Sequence, residues 1–247
     1  MIFLFAIIGL AIGSFLNVLI VRLPKNKNIL TSSVCLHCNV KIEKKYNIPI
    51  FGYLFLRGIS SCCQRSLPKR YLVVELLGLI TFILLYLFSI NYLEIIAGVI
   101  LLSSLIIIFY IDFEHELILH VITFPNIIIG ILYNFFKNNE FINFLIAALL
   151  GYIIIWLLNK IYLLLRKKNG MGMGDAFMMS MIGAYFGIVD MIIIFYLSVI
   201  VALFFVLIYF VIFRKVLLKI PFGCFLSICT YFLWFLDLES IYTWFKF

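Results

Sequence analysis

Apolar runs close to twenty residues long recur along the chain, separated by short polar stretches. They lie near 2–21, 71–90, 93–111, 121–136, 141–165, 175–188, 191–213 and 221–236. Crossing a hydrocarbon layer about 30 Å thick at about 1.5 Å per helical residue takes about this length. The runs lack the period-two alternation of a membrane barrel, so helices must satisfy their backbones. The pattern predicts an all-α, polytopic membrane protein with about eight transmembrane helices. The fourth and sixth runs are short, and a helical hairpin or tilted element could replace either. The first run has no basic start and no small-residue cleavage site, and it reads as a retained helix rather than a removed signal.

Composition strengthens this reading. Of 247 residues, 66% are hydrophobic and 12% charged, against about 45–50% and about 25% in ordinary globular chains. No soluble core of this size hides so much apolar side chain, so lipid is the solvent for most of it. The net charge of +8 is not spread as a nucleic-acid-binding surface. Ten of the nineteen Lys and Arg residues fall in segment 22–70; Arg166, Lys167 and Lys168 follow the fifth run, and Arg214, Lys215 and Lys219 the seventh. With the N-terminus outside and eight crossings, these sixteen all face the cytoplasm, as the positive-inside rule requires. Lys137 and Lys246 then fall outside, and Lys160 sits near the inner end of the fifth span. The expected organisation is a first transmembrane helix at 1–22, a cytoplasmic loop at 23–70 and a transmembrane core at 71–247. The basic loop suits contact with anionic membrane lipid; no nucleic-acid partner is expected.

The eleven acids are few enough to weigh singly. Glu43 lies in the loop, and Glu140, Asp190, Asp237 and Glu239 belong to outer turns as solvated groups. Glu94 opens the third span, where it favours the helix N-terminus. Asp112 and Asp175 differ. Asp112 ends the third span in Tyr110-Ile111-Asp112-Phe113-Glu114-His115-Glu116, and Asp175 begins the sixth in Gly172-Met173-Gly174-Asp175. An acid at membrane depth costs about 2.5–3.5 kcal/mol even on lenient scales and is a functional candidate. Two facing carboxyls share a proton, one acting as base toward water while the other protonates or stabilises a carbonyl oxygen. The plainer alternative is that both cap helices at the lipid boundary. Gly170, Gly172 and Gly174 weigh against it, because they clear side chains where a substrate backbone approaches.

Gly-x-Gly-Asp opening a late helix, with another Asp ending an earlier one, resembles the intramembrane aspartic proteases. Further segments resemble the bacterial prepilin leader peptidases: Gly13-Ser14-Phe15-Leu16-Asn17-Val18 with Arg22-Leu23-Pro24, Cys35-Leu36-His37-Cys38, Asn47-Ile48-Pro49-Ile50, Leu56-Arg57-Gly58, Arg70 to Leu77, and Pro221-Phe222-Gly223. They run in family order over nearly the whole chain. The resemblance implies cleavage of a short basic leader from type IV prepilins or pseudopilins at the cytoplasmic face, with Asp112 and Asp175 catalytic. It also implies methylation of the new N-terminus from S-adenosylmethionine, as in many members. Gly172, Gly174, Asn17, Glu75 and Glu116 are candidate substrate-binding or supporting residues. For Asn17 and Glu75 an interhelical or snorkelling role stands beside the functional one. Glu116 acts on Asp112 by like charge if helical geometry continues to it.

Six cysteines occur. Cys224 and Cys229 read as small packing residues of the last span. Cys35, Cys38, Cys62 and Cys63 share the loop; in a reducing compartment clustered thiols suggest metal, and four thiolates suit tetrahedral zinc. The family often carries two Cys-x-x-Cys pairs here. In this chain Ser60 occupies the expected third position, Cys63 the fourth, and Cys62 is the neighbour that could substitute. His37 is another possible ligand. Two further departures lie near the aspartates. His120 stands where members carry a second acid, and Phe177 where they carry lysine. The rivals are therefore a catalytically degenerate relative and a proton-coupled transporter or channel using the same carboxyls. The first-helix signature and cysteine loop have no purpose in transport.

Overall fold

The computed structural model describes residues 1–35, 37–138, 141–167, 172–215 and 220–236. Lys168, Gly170, Lys219, Glu140, Asp237, Glu239 and Lys246, assigned above, lie outside the described residues. Eight α-helices account for most of the rest: α1 (Ile2–Arg22), α2 (Phe51–Phe55), α3 (Arg70–Phe88), α4 (Tyr92–His115), α5 (His120–Asn138), α6 (Phe141–Arg166), α7 (Met173–Phe213) and α8 (Phe222–Phe235). Among the described residues there are two isolated β-bridges and no strand. The chain divides into two compact units, Met1–Ile90 and Asn91–Phe247.

In the first unit α1 packs on α3 through glycines. A Cβ on Gly9 would stand 2.7 Å from the Gly78 carbonyl oxygen, and one on Gly13 would stand 2.8 Å from the Glu75 Cα. Lipid gives little hydrophobic drive for helix pairing, so close backbone approach and the dispersion contacts it permits must supply it. Gly9 and Gly13 are four residues apart and lie on one face. Between the helices, segment 23–69 is held at its start by Arg22. Its guanidinium donates to the carbonyl oxygens of Asn28, Ile29, Thr31 and Ser32 at 2.8–3.0 Å. Arginine's planar fork of donors allows this fan of bonds, which a lysine ammonium could not reproduce.

Of the long apolar helices in the second unit, α4 is the most enclosed: 56% of its most apolar stretch is buried, against 22% for α6 and α7. Its Leu101, Leu102, Leu105, Ile108 and Ile111 are fully buried, while the outer faces of α6 and α7 expose large apolar side chains, as helices facing lipid do. Two buried asparagines of this unit pair across helices. Asn126 donates to the Ser104 hydroxyl at 2.9 Å, and Asn134 donates to the carbonyls of Ala184 and Tyr185 at 3.0 and 3.1 Å.

Among the described residues, five helices are long and apolar enough to cross a membrane: α1 with its 3₁₀ extension to Lys25, α3, α4, α6 and α7. α5 carries Pro125, Asn126 and Asn134, and α8 has fourteen residues. The sixth and seventh expected spans are the two arms of α7, separate helices that meet at non-helical Gly187 (φ 80°, ψ −175°). This left-handed φ is open to glycine and resisted by other residues. The Met179 carbonyl and the Met191 sulfur both lie within 2.8 Å of a Cβ placed on Gly151. Twelve residues of straight helix would separate those two positions by about 18 Å. The helix therefore bends sharply at Gly187, and both its arms pack on α6.

Candidate active site

Asp112 lies in the last turn of α4 and is 5% exposed. The helix stops three residues on, where Glu116 turns left-handed (φ 52°) and donates its N–H to the Asp112 carbonyl at 2.8 Å. The carboxylate of Asp112 points at the start of α8, where the Cys224 backbone N–H donates to Oδ2 at 3.0 Å. The same N–H also donates to the Pro221 carbonyl at 3.2 Å, so the bond is shared, and the carboxylate sits at the positive end of the helix dipole. The Cys224 thiol in turn lies 3.2 Å from the Phe109 carbonyl, tying α8 to α4.

Asp175 occupies the first turn of α7, half-exposed. Its Oδ2 accepts the Gly172 N–H at 3.1 Å, so the side chain caps its own helix. The two acids meet around Ile118, a buried residue in the link between α4 and α5. A Cβ on Gly174 would fall 2.7 Å from the Ile118 Cβ, and one on Gly223 would fall 2.8 Å from both the Ile118 Cδ1 and the Asp112 Oδ2. Three helix ends thus close on one isoleucine because two of them present hydrogen where a methyl would collide. Asp175 follows Gly174 directly and Asp112 faces Gly223, so both acids belong to the helix ends that close on Ile118.

Other expected site residues divide. Gly172 and Gly174 both lie beside Asp175; a Cβ on Gly172 would meet only ordinary contacts from 3.6 Å, whereas one on Gly174 would collide with Ile118. Glu116 is exposed with Glu114 and His115, and helical geometry does not continue to it. His120 and Phe177, the two departures from the family pattern, lie against each other with ring centroids 4.5 Å apart. Phe124 and Tyr152 pack on Phe177 at 4.9 and 5.0 Å. An aromatic contact therefore joins the two departures. Asn17 and Glu75 belong to the first unit. Asn17 donates to the Tyr71 carbonyl at 3.0 Å, and Glu75 accepts the Ile50 N–H at 2.6 Å. Ile50 has φ 62° and ψ −54°, the strained γ-turn conformation, and Glu75 secures it. Reading the sequence missed the Gly223–Cys224 contact to Asp112. The order of Pro221-Phe222-Gly223 within the resemblance was the one signal for it.

The loop cysteines sit on two matching turns. The bridges Val34–Lys41 and Ile59–Ser66 close them, Cys35 and Ser60 each donate N–H five residues ahead at 2.8 Å, and Asn39 and Gln64 are both left-handed. In this register Ser60 is the counterpart of Cys35, Cys63 of Cys38, and Cys62 of His37. The four cysteine sulfurs lie within 4.8 Å of one another, with Cys35–Cys63 at 3.7 Å and Cys38–Cys62 at 3.0 Å. Zinc with thiolates at about 2.3 Å in a tetrahedron would set them about 3.8 Å apart, so the donor set fits a metal. His37 is exposed and outside the cluster. Hydrogen bonding from Ser60 holds the Cys35 thiol down at about 5, and Cys62 pushes Cys38 up to about 12.

Residues 7–89 match the Bacterial Peptidase A24 N-terminal domain, and residues 99–211 match the Type IV leader peptidase family. A prepilin leader peptidase/N-methyltransferase of Klebsiella pneumoniae is 34% identical over 187 residues, spanning 72% of this chain and 82% of that one. Proteins of the same description from Neisseria gonorrhoeae and Pseudomonas aeruginosa are 32% and 31% identical, covering 74% and 73% of this chain and 73% and 71% of their own lengths. No solved structure matches. This all-helical membrane protein belongs to the type IV leader peptidase family.

Proposed function

We propose that the chain is an aspartic endopeptidase of the inner membrane that removes the leader of type IV prepilins or pseudopilins and methylates the new N-terminus. The observation that carries the hydrolytic reading is the convergence of Asp112, Asp175 and Gly223 on Ile118. In this reading one carboxyl, ionised, takes a proton from water as the water attacks the scissile carbonyl, and the other, protonated, donates to the developing oxyanion. The proton returns to the leaving amine from the dyad, and no covalent acyl-enzyme forms. Burial and the Cys224 N–H fix the Asp112 carboxyl, while Asp175 is the more accessible of the two. Because the pair titrates as a unit, neither is assigned the first proton.

The orientation with the N-terminus outside places both acids and the basic loop on the cytoplasmic side, where the leader resides. Zinc held by Cys35, Cys38, Cys62 and Cys63 would order a loop that is poor in apolar side chains. Methylation would draw on S-adenosylmethionine. The compensating His120–Phe177 contact favours a working enzyme over a degenerate relative.

Co-expression with a prepilin tests the proposal, with the pilin N-terminus read by mass spectrometry. Asp112→Asn and Asp175→Asn should each leave the leader attached while the protein still inserts in the membrane. Full processing by either variant removes the dyad.

A further inference from the structure

Hydroxyls buried inside helices can return to the carbonyl four residues back, and those of Thr81, Ser104, Ser198, Ser227 and Thr230 do so at 2.7–2.8 Å. Thr123 breaks this pattern. It lies in the first turn of α5 and is 0% exposed, yet its Oγ1 has no hydrogen-bond partner among the described residues. Asn126, also buried, follows three residues on along the same helix face. Its Nδ2 donates to the Ser104 hydroxyl at 2.9 Å and to the Ile122 carbonyl at 2.8 Å, which fixes the direction of Oδ1. That oxygen accepts the Tyr185 hydroxyl of α7 at 3.4 Å. The bond is long, since O–H···O bonds centre at about 2.7–2.8 Å.

In an apolar core an unpaired hydroxyl and an amide oxygen with only a long bond are both costly. One small molecule that accepts and donates corrects both. Side chains three residues apart on a helix have Cβ atoms about 5–6 Å apart, a span that one water bridges. A water there accepts the Thr123 O–H and donates to the Asn126 Oδ1 and the Tyr185 hydroxyl oxygen, and about three bonds are typical of a buried water. Pro125, between the two residues in sequence, lacks an N–H and crowds the carbonyl of Val121, which loosens this turn. The Leu119 carbonyl accepts the Ile122 and Thr123 N–H groups at 3.0 and 3.3 Å. Thr123 therefore stands one helical turn, about 5 Å, beyond the link in which Ile118 gathers the ends of α4, α7 and α8.

We propose that α4, α5 and α7 hold a buried water at Thr123, Asn126 and Tyr185, and that this site supplies the hydrolytic water to the aspartates. The supply role rests on the reading of the chain as an aspartic peptidase, whereas the water site does not. Each cleavage consumes one water. Its oxygen bonds to the scissile carbonyl carbon as the C–N bond breaks, one proton passes through the dyad to the departing amine, and the other stays with the new carboxyl group. An apolar bundle offers few polar groups to hold the replacement molecule, and this cluster offers three close to the dyad.

Radiolytic hydroxyl-radical labelling of the full chain in nanodiscs, run in water enriched in heavy oxygen, tests the site, with prepilin cleavage followed on the same preparation. Radicals form at bound waters as well as in bulk, so Tyr185, only 4% exposed, should be labelled in the parent and lose most of that label in Thr123→Val. Thr123→Val should also lower kcat about tenfold with KM unchanged, the effect of losing one buried hydrogen bond. Thr123→Ser should restore both readouts. Tyr185→Phe keeps the ring and serves as a second variant should valine disturb the fold; it should lower kcat likewise. A bare hydroxyl gives the opposite result: valine raises thermal stability and leaves labelling and cleavage unchanged, which overturns the proposal. Lost label with unchanged kcat overturns the supply role, and an unlabelled Tyr185 in the parent overturns the water site. Labelling needs no hydrolysis, so a chain labelled at Tyr185 that cleaves no prepilin overturns the peptidase reading, and the supply role with it, while the water site stands.

Discussion

Gly223→Ala is the sharpest perturbation of the proposed dyad, because it alters no ionisable group. Its Cβ would stand 2.8 Å from the Asp112 Oδ2 and 2.8 Å from the Ile118 Cδ1. Ordinary contact begins near 3.4 Å, so the carboxyl and the methyl must each retreat by about 0.6 Å. Retreat of Oδ2 lengthens its bond to the Cys224 N–H, now 3.0 Å. Overpacking a tight site costs about 1–3 kcal/mol of stability, and a misplacement approaching 1 Å in a catalytic array costs about 10²-fold in rate. Gly223→Ala should therefore lower prepilin cleavage by roughly 10- to 100-fold while the protein still inserts and melts cooperatively. Gly174→Ala, 2.7 Å from the Ile118 Cβ, should behave alike. Gly172→Ala, whose added carbon meets nothing nearer than 3.6 Å, should keep most activity. The assay is leader cleavage in proteoliposomes at several substrate concentrations, with thermal unfolding followed in parallel. If Gly223→Ala cleaves within twofold of the parent, the packing of α8 on Asp112 does not matter to the chemistry and the dyad geometry argued above is wrong.

Three further outcomes follow from other parts of the molecule. If His120 and Phe177 form one compensated change, Phe177→Lys alone should impair cleavage and His120→Asp/Phe177→Lys should restore it, with a coupling of about 0.5–1.5 kcal/mol in a double-mutant cycle; additive losses would refute the compensation. Arg22→Lys removes the fan of bonds to four carbonyls and should make residues 28–32 a preferred site of limited proteolysis; an unchanged digestion pattern would show that the loop is held otherwise. Zinc measured by mass spectrometry should be about one per chain in the thiol cluster, and it should fall in Cys62→Ser but persist in Ser60→Ala. Loss in the second and not the first would reverse the roles given to those two residues.

Much of this protein was readable before any tertiary contact was known. Apolar length placed every membrane helix to within a few residues, because the hydrocarbon thickness dictates the length and the backbone must bond internally. Scarcity of acids singled out Asp112 and Asp175, since each buried charge must justify its cost. The four loop cysteines were visible for the same reason of rarity. What the linear pattern could not decide was which face meets what. An apolar helix in lipid is apolar all round, so α4 at the centre of its unit and α6 at the edge look alike in sequence. Two runs on either side of Gly187 read as separate spans, and they are separate helices; what the pattern could not show is that one left-handed residue folds them so that both pack on α6. Gly9, Gly13, Gly78, Gly174 and Gly223 owe their roles to the atoms opposite them, and no single chain of letters contains those atoms. Cys62 was the uncertain ligand because adjacent side chains diverge; only the closure of two matching turns brings its sulfur into the cluster with the other three. The chemistry was legible where it depended on rare residue types, and opaque where it depended on a missing methyl group.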